Sequence, residues 1–203
     1  SCEFICADFL DIYTQHKKND IFSSKIINPS DFDYWIANPP YNCHEVDYIR
    51  TNKSNLKDAF GDIGVHNMYS MFIAAIIDMA KDGSVIGIIT LDSFLTSKAH
   101  APLREKIINE TTIHDIILCP TSLFLEQGAD VRTCIIIMTK EKLQNTVNLL
   151  NRPTNIQDFF SVLEQKSFVK SKLTDILLSG EQDNFEFMID VPKQIRQLFQ
   201  LKR

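Results

Sequence analysis

With 203 residues, 44% of them hydrophobic and 23% charged, the chain can bury a full core, and it is expected to fold as one domain or one domain with an appendage. No apolar run approaches the roughly 18–20 residues of a membrane span, and the opening "SCEFICADFL" lacks the basic region of a secretory signal, so a cytoplasmic location is expected. A net charge of −5 excludes nucleic-acid binding by bulk electrostatics and leaves that role to local basic surface.

In chain order, "CEFICADFL" predicts a short strand presenting Asp8 at its end. "NDIFSSKIINPSDF" reads as a turn-rich connection, with Asp31 and Asp33 as turn or capping acids. "DYWIA" predicts a strand cut off by "NPPY". Adjacent prolines lack N–H groups and hold φ near −65°, and Pro39 drives Asn38 into an extended conformation. The strand therefore leaves by a stiff exit with Asn38 and Tyr41 at its rim. Residues 42–66 are polar and glycine-punctuated and read as a long loop. "HNMYSMFIAAIIDMAKDG" predicts a buried helix closed by Lys81 and Gly83.

"SVIGIIT" predicts a strand covered on both faces. An amphipathic helix "KAHAPLREKIINE", a strand "IHDIILC", a loop "SLFLEQGADV" and a strand "RTCIIIMTK" follow. The alternation of strand and helix argues for an α/β domain with a largely parallel sheet and helices on both faces. Beyond residue 140 the pattern changes to a short strand, "VNLL", and the amphipathic stretches "NIQDFFSVLEQ", "KLTDILL" and "PKQIRQLFQLKR". The expected organisation is a core over 1–140 and a helical appendage, or the root of a second domain, over 141–203.

Cys2, Cys6, Cys43, Cys119 and Cys134 include no CxxC pair, and the five histidines are scattered, so no metal is expected. Four of the cysteines sit in or beside apolar segments, as buried reduced thiols do.

Asn38-Pro39-Pro40-Tyr41 at a strand end resembles motif IV of the S-adenosylmethionine-dependent amino methyltransferases, above all the adenine-specific (N6) DNA methyltransferases of restriction–modification systems. "CADFL", with its acid thirty residues before Asn38, resembles motif III. "NMYSMFIAAIIDMAKDGSVIGIITLDSFL" resembles motifs V and VI, and "SLFLEQGADVRTCIIIMTK" resembles motif VIII and its strand. The order is kept over residues 1 to about 140, where the resemblance implies a Rossmann-like methyltransferase sheet. Residues 141–203 would then start the target-recognition region.

The chemistry accounts for the residue types. The lone pair of an exocyclic amino nitrogen is delocalised into its ring, which makes it a poor nucleophile. By the resemblance, the Asn38 side-chain oxygen and the Pro39 carbonyl each accept one amino hydrogen, localising electron density and aiming the nitrogen at the sulfonium methyl. Tyr41 would stack on an adenine flipped out of double-stranded DNA, with Phe124 on its other face. Asp8 would accept the cofactor's adenine amino group, with Phe9 beside that ring and Phe72 lining the same pocket.

The resemblance is incomplete in its N-terminal half. The family's glycine turn and ribose-binding acid have no counterpart before Asp8, and Gly61, Gly64 and Gly83 stand elsewhere. The chain is therefore expected to be a fragment that begins at the third strand. The family sheet runs 3-2-1-4-5-7-6, so strand 4 would be an exposed apolar edge, and the expectation is that strand 3 is displaced or that another chain covers strand 4. The rest of the enzyme or another chain would cover that edge, and a cognate or fused restriction nuclease is an expected partner. NPPY also occurs in protein-glutamine and RNA-base methyltransferases; the long segment after Tyr41 and the 63 residues after 140 favour DNA. A non-catalytic DNA-recognition or scaffolding fragment is the reading of a different class.

Overall fold

Branched and aromatic residues fix the strands. The four runs expected to be extended after residue 33 form β1 (Tyr34–Ala37), β2 (Val85–Leu91), β3 (Thr112–Leu118) and β4 (Thr133–Thr139). The computed structural model describes residues 4–18, 28, 31–41, 45–143, 146–178, 184–192, 194–196 and 198. With β5 (Thr146–Leu150) and β6 (Val169–Lys172), the strands make one sheet in the order β1-β2-β4-β3-β5-β6. β1 runs parallel to β2 and β3 to β5, whereas β4 is antiparallel to both of its neighbours and β6 to β5. Four of the six strands thus point one way, which makes the sheet mostly parallel. β4 reverses because the chain returns from β3 through turns, without a crossover helix. β1-β2-β4-β3 reproduces the 4-5-7-6 half of the expected order.

Strand alternation sorts the core onto two faces. Ile86, Ile88, Ile116, Ile136 and Met138 meet α4 (Met68–Met79) and α5 (Ala101–Glu110) on one face. Ile89, Ile117, Ile135 and Leu150 meet Phe159 and Leu163 of α6 (Ile156–Gln165) on the other. α4 is buried over most of its circumference because α1 (Phe9–Lys17) and α5 flank it. Asp78 ties all three together: it accepts from the Tyr13 hydroxyl at 2.5 Å and pairs with Lys106 at 2.5 Å. Burial, reinforced by that hydrogen bond, pushes the Tyr13 pKa up. Lys106 and Lys140 both reach Glu110, extending the network to the end of β4.

Three expectations are corrected. No strand forms at Phe4–Leu10; instead Asp8 caps α1, its carboxylate accepting from the Leu10 and Asp11 amides at 2.9 and 3.3 Å. Leu10, Tyr13 and Thr14 are buried at helical spacing, which a helix and not a strand puts on one face. Residues 45–60 are not loop but two short helices, α2 (Glu45–Thr51) and α3 (Lys53–Phe60). Leu56 and Phe60, four apart, anchor α3 beneath its polar residues, with the Tyr13 and Phe60 rings stacked 4.9 Å apart. Past residue 140, the "VKSK" segment, read as part of no strand, is β6, so the tail extends the main sheet. Cys119 and Cys134 are buried as expected and Cys6 is exposed; Cys2 and Cys43 lie outside the described residues.

The expected open edge is present among the described residues. β1 pairs with β2 alone, and Tyr34 and Ile36 are 74% and 92% exposed.

Candidate active site

Position follows from the way β1 ends. Its register with β2 runs from Tyr34↔Val85 to Ala37↔Ile88, and then the two prolines stop it. Asn38 is exposed, Pro39 buried and Tyr41 half-buried. The single proton of the Tyr41 hydroxyl lies between two acceptors, Asn38 Oδ1 and the Ile89 carbonyl of β2, the latter at 3.1 Å. Burial pushes the Tyr41 pKa up to about 12, so the hydroxyl keeps its proton at neutral pH.

Beside this turn lies a pocket of about 200 Å³ lined by Phe9, Trp35, Ile36, Ala37, Asn38, Pro39, Phe72 and Ile76. The Phe9 and Phe72 rings stand 5.1 Å apart at 34°, so the start of α1 and the first half of α4 make an aromatic wall. The structure therefore brings together Asn38, Pro39, Phe9 and Phe72, which lie on three elements. Trp35 Nε1 is buried and has no hydrogen-bond partner among the described residues, so besides the Asn38 side chain the pocket lining carries one further polar group, and that one is unpartnered.

The carboxyl ends of β2, β3 and β5 share this edge of the sheet, where α/β proteins bind ligands. Arg152, just after β5, pairs with Asp92 after β2 at 2.5 Å and donates to the Cys119 carbonyl after β3. Arg132 joins Asp92 at 3.3 Å. These contacts clamp the strand ends together and hold the rim.

Three expected site residues, Asp8, Tyr41 and Phe124, are not among those lining the pocket. The Asp8 carboxylate caps α1 and takes a hydrogen bond from Tyr48, whose pKa burial and Asp8 together push up. Phe124 is half-buried in the turn after β3, where its carbonyl accepts from the Gln127 and Ala129 amides. Sequence reading missed Trp35, Tyr48, Asp92 and Arg152. Trp35 was accessible in principle, since it shares a strand face with Ala37 at a spacing of two. Tyr48 lies in a stretch read as loop, and the Asp92–Arg152 pair joins residues sixty apart without local signal.

An open, mostly parallel sheet with a polar, proline-stopped turn at a strand end is the architecture of an α/β ligand-binding domain. The chain belongs to the N-6 DNA methylase family, which matches residues 9–193. Its structure is similar to a modification subunit of a putative type I restriction enzyme from Vibrio vulnificus YJ016, with TM-score 0.60 and 15% identity over 84% of this chain and 40% of that one. It is also similar to a chain of a type I restriction–modification system, with TM-score 0.53 and 14% identity over 84% and 41%. A putative class I S-adenosylmethionine-dependent methyltransferase from Listeria monocytogenes matches with TM-score 0.50 and 18% identity over 70% and 42%. At these identities the likeness establishes the fold. The chain spans about two fifths of the length of these relatives.

Proposed function

We propose that this chain is the catalytic part of a site-specific DNA methyltransferase that methylates N6 of an adenine flipped out of the duplex, in a restriction–modification setting. The observation that carries this reading is that Asn38 and Pro39 open onto the pocket walled by Phe9 and Phe72. Asn38 Oδ1 and the Pro39 carbonyl accept the two amino hydrogens of the target, and the Tyr41 and Phe124 rings face the flipped base. S-adenosylmethionine, when bound, supplies an electrophilic sulfonium methyl.

The aromatic pair and the unpartnered Trp35 N–H suit the purine end of that cofactor. Phe9 and Phe72 would hold the ring, while Asp8 would reach its amino group with the lone pairs that capping leaves over. The pocket is smaller than the roughly 300–1,000 Å³ of a complete small-molecule site, in keeping with a half-site. The open edge at Tyr34 and Ile36 would be covered by the rest of the enzyme or by another chain, and residues 141–203 would lead into target recognition. DNA, a cognate or fused nuclease and a cytoplasmic setting complete the proposal.

The test is a panel of methyl acceptors offered to the complete protein with radiolabelled cofactor. Label recovered as N6-methyladenine in duplex DNA is the expected result. Label in RNA or on a glutamine side chain would replace the reading, and cofactor binding without transfer would favour a non-catalytic role. The isolated 203-residue chain should bind S-adenosylmethionine weakly or not at all in calorimetry, because a pocket of about 200 Å³ would enclose the purine end and no more.

A further inference from the structure

We infer that the Tyr41 hydroxyl is a positioning group for the Asn38 amide, separate from any contact of the Tyr41 ring with the target base. This rests on the reading of Asn38 as the amino-group acceptor. The ladder between β1 and β2 stops at Ala37↔Ile88, and the next carbonyl on β2, that of Ile89, takes the Tyr41 hydroxyl at 3.1 Å. The hydroxyl shares that single proton with Asn38 Oδ1, in a three-centre bond. It is thus registered against β2, which is paired on both sides and is among the most constrained strands in the sheet.

Asn38 needs such a group. Its side chain is exposed, and the terminal amide torsion of asparagine is broad and roughly two-fold. One orientation offers an acceptor to a substrate amine; the opposite one offers two more donors and is useless for drawing hydrogens from it. With the hydroxyl proton shared between the Ile89 carbonyl and one lone pair of Oδ1, the useful orientation is the one held, and the second lone pair is left for the amine. That donor is protonated throughout the working pH range, as an ordinary tyrosine with a pKa of about 10 is, and burial pushes its pKa further up, to about 12. A phenylalanine at this position would present the same ring face to a base and could not orient the amide.

Tyr41→Phe in the complete enzyme separates the two roles. The expected result is a single-turnover methylation rate about tenfold lower, the scale of one lost orienting hydrogen bond. KM for DNA, the fluorescence rise of 2-aminopurine at the target position and the melting temperature should stay at wild-type values. A wild-type rate in Tyr41→Phe would overturn the inference. So would a faster rate, which would mean that the hydroxyl competes with the substrate for Oδ1. A lower rate accompanied by lost base extrusion or a lower melting temperature would also overturn it, by making the hydroxyl a packing group. Asn38→Ala measured alongside keeps the premise separate: turnover in that variant removes Asn38 from the chemistry. An inactive Asn38→Ala with a wild-type Tyr41→Phe removes only the hydroxyl's role.

Discussion

Arg104 is fully buried on α5, and its guanidinium binds the end of the chain to the core. It donates to the Phe94 and Ser97 carbonyls at 2.6 and 2.7 Å, to Asn184 at 2.5 and 3.0 Å, and to Phe185 at 2.9 Å. Asn184 and Phe185 both sit in the left-handed region, at φ 49° and 54°, which costs about 1 kcal/mol each. That conformation turns successive carbonyls onto one arginine. Arg104→Met keeps most of the volume but removes the guanidinium from all four carbonyls. Those of residues 184 and 185 can turn to water once the turn relaxes, whereas Phe94 is itself fully buried. The Ser97 carbonyl keeps the His100 amide at 3.0 Å, so one dry, unpaired carbonyl, that of Phe94, at roughly 1–3 kcal/mol gives an expected loss of about 2 kcal/mol. That is a large part of the roughly 5–15 kcal/mol available to a domain. Urea unfolding measures the loss, and hydrogen exchange should show protection vanishing first around residues 184–189. A loss under about 1 kcal/mol, with that segment still protected, would refute the reasoning.

Tyr41→Ala in the complete enzyme should lose roughly 1–3 kcal/mol of base stacking, seen as a weaker 2-aminopurine rise, while Tyr41→Trp keeps most of it; a wild-type rise in the alanine variant would make Tyr41 a packing residue. Burial, then the Arg104 charge, lower the His100 pKa from 6.5 to about 4, while Tyr69 and Ser70 hydrogen-bond its two ring nitrogens. Between those values the unfolded chain binds a proton that the folded chain refuses, so stability present above about pH 6.5 should fall by roughly 2–3 kcal/mol as the pH approaches 4. Against wild type, His100→Gln should flatten that part of the dependence, and equal changes in urea midpoint between pH 7 and 5 in both proteins would contradict it. Ile36→Lys should reduce self-association of the isolated chain in sedimentation, because Ile36 is 92% exposed on an unpaired apolar edge.

Legibility varied with how local the signal was. Strands β1 to β4 and helix α4 were read correctly because apolar runs of strand length and a long buried helix are set by the residues themselves. The turn at Asn38 was readable because proline chemistry leaves few alternatives. The first segment misled because its apolar residues fit a strand or a helix turn equally well; the Asp8 cap and the packing of Tyr13 on Phe60 decided for a helix. α3 was hidden because Leu56 and Phe60 are its main apolar anchors among polar neighbours. The pairing of Phe9 with Phe72 was expected from the resemblance alone, since residues sixty-three apart carry no periodic signal of contact. Asp92 with Arg152 had neither source and became visible only in the folded chain.

The central claim is that Asn38 acts on the amine in the chemical step and does not hold the cofactor. Single-turnover methylation of duplex DNA by the complete enzyme, compared between wild type and Asn38→Ala with S-adenosylmethionine affinity measured in parallel, tests it most directly. The account predicts that the alanine variant loses methyl transfer to N6 of adenine while its cofactor affinity stays near wild type. Near-normal transfer, or a loss of transfer explained by lost cofactor binding, would contradict it.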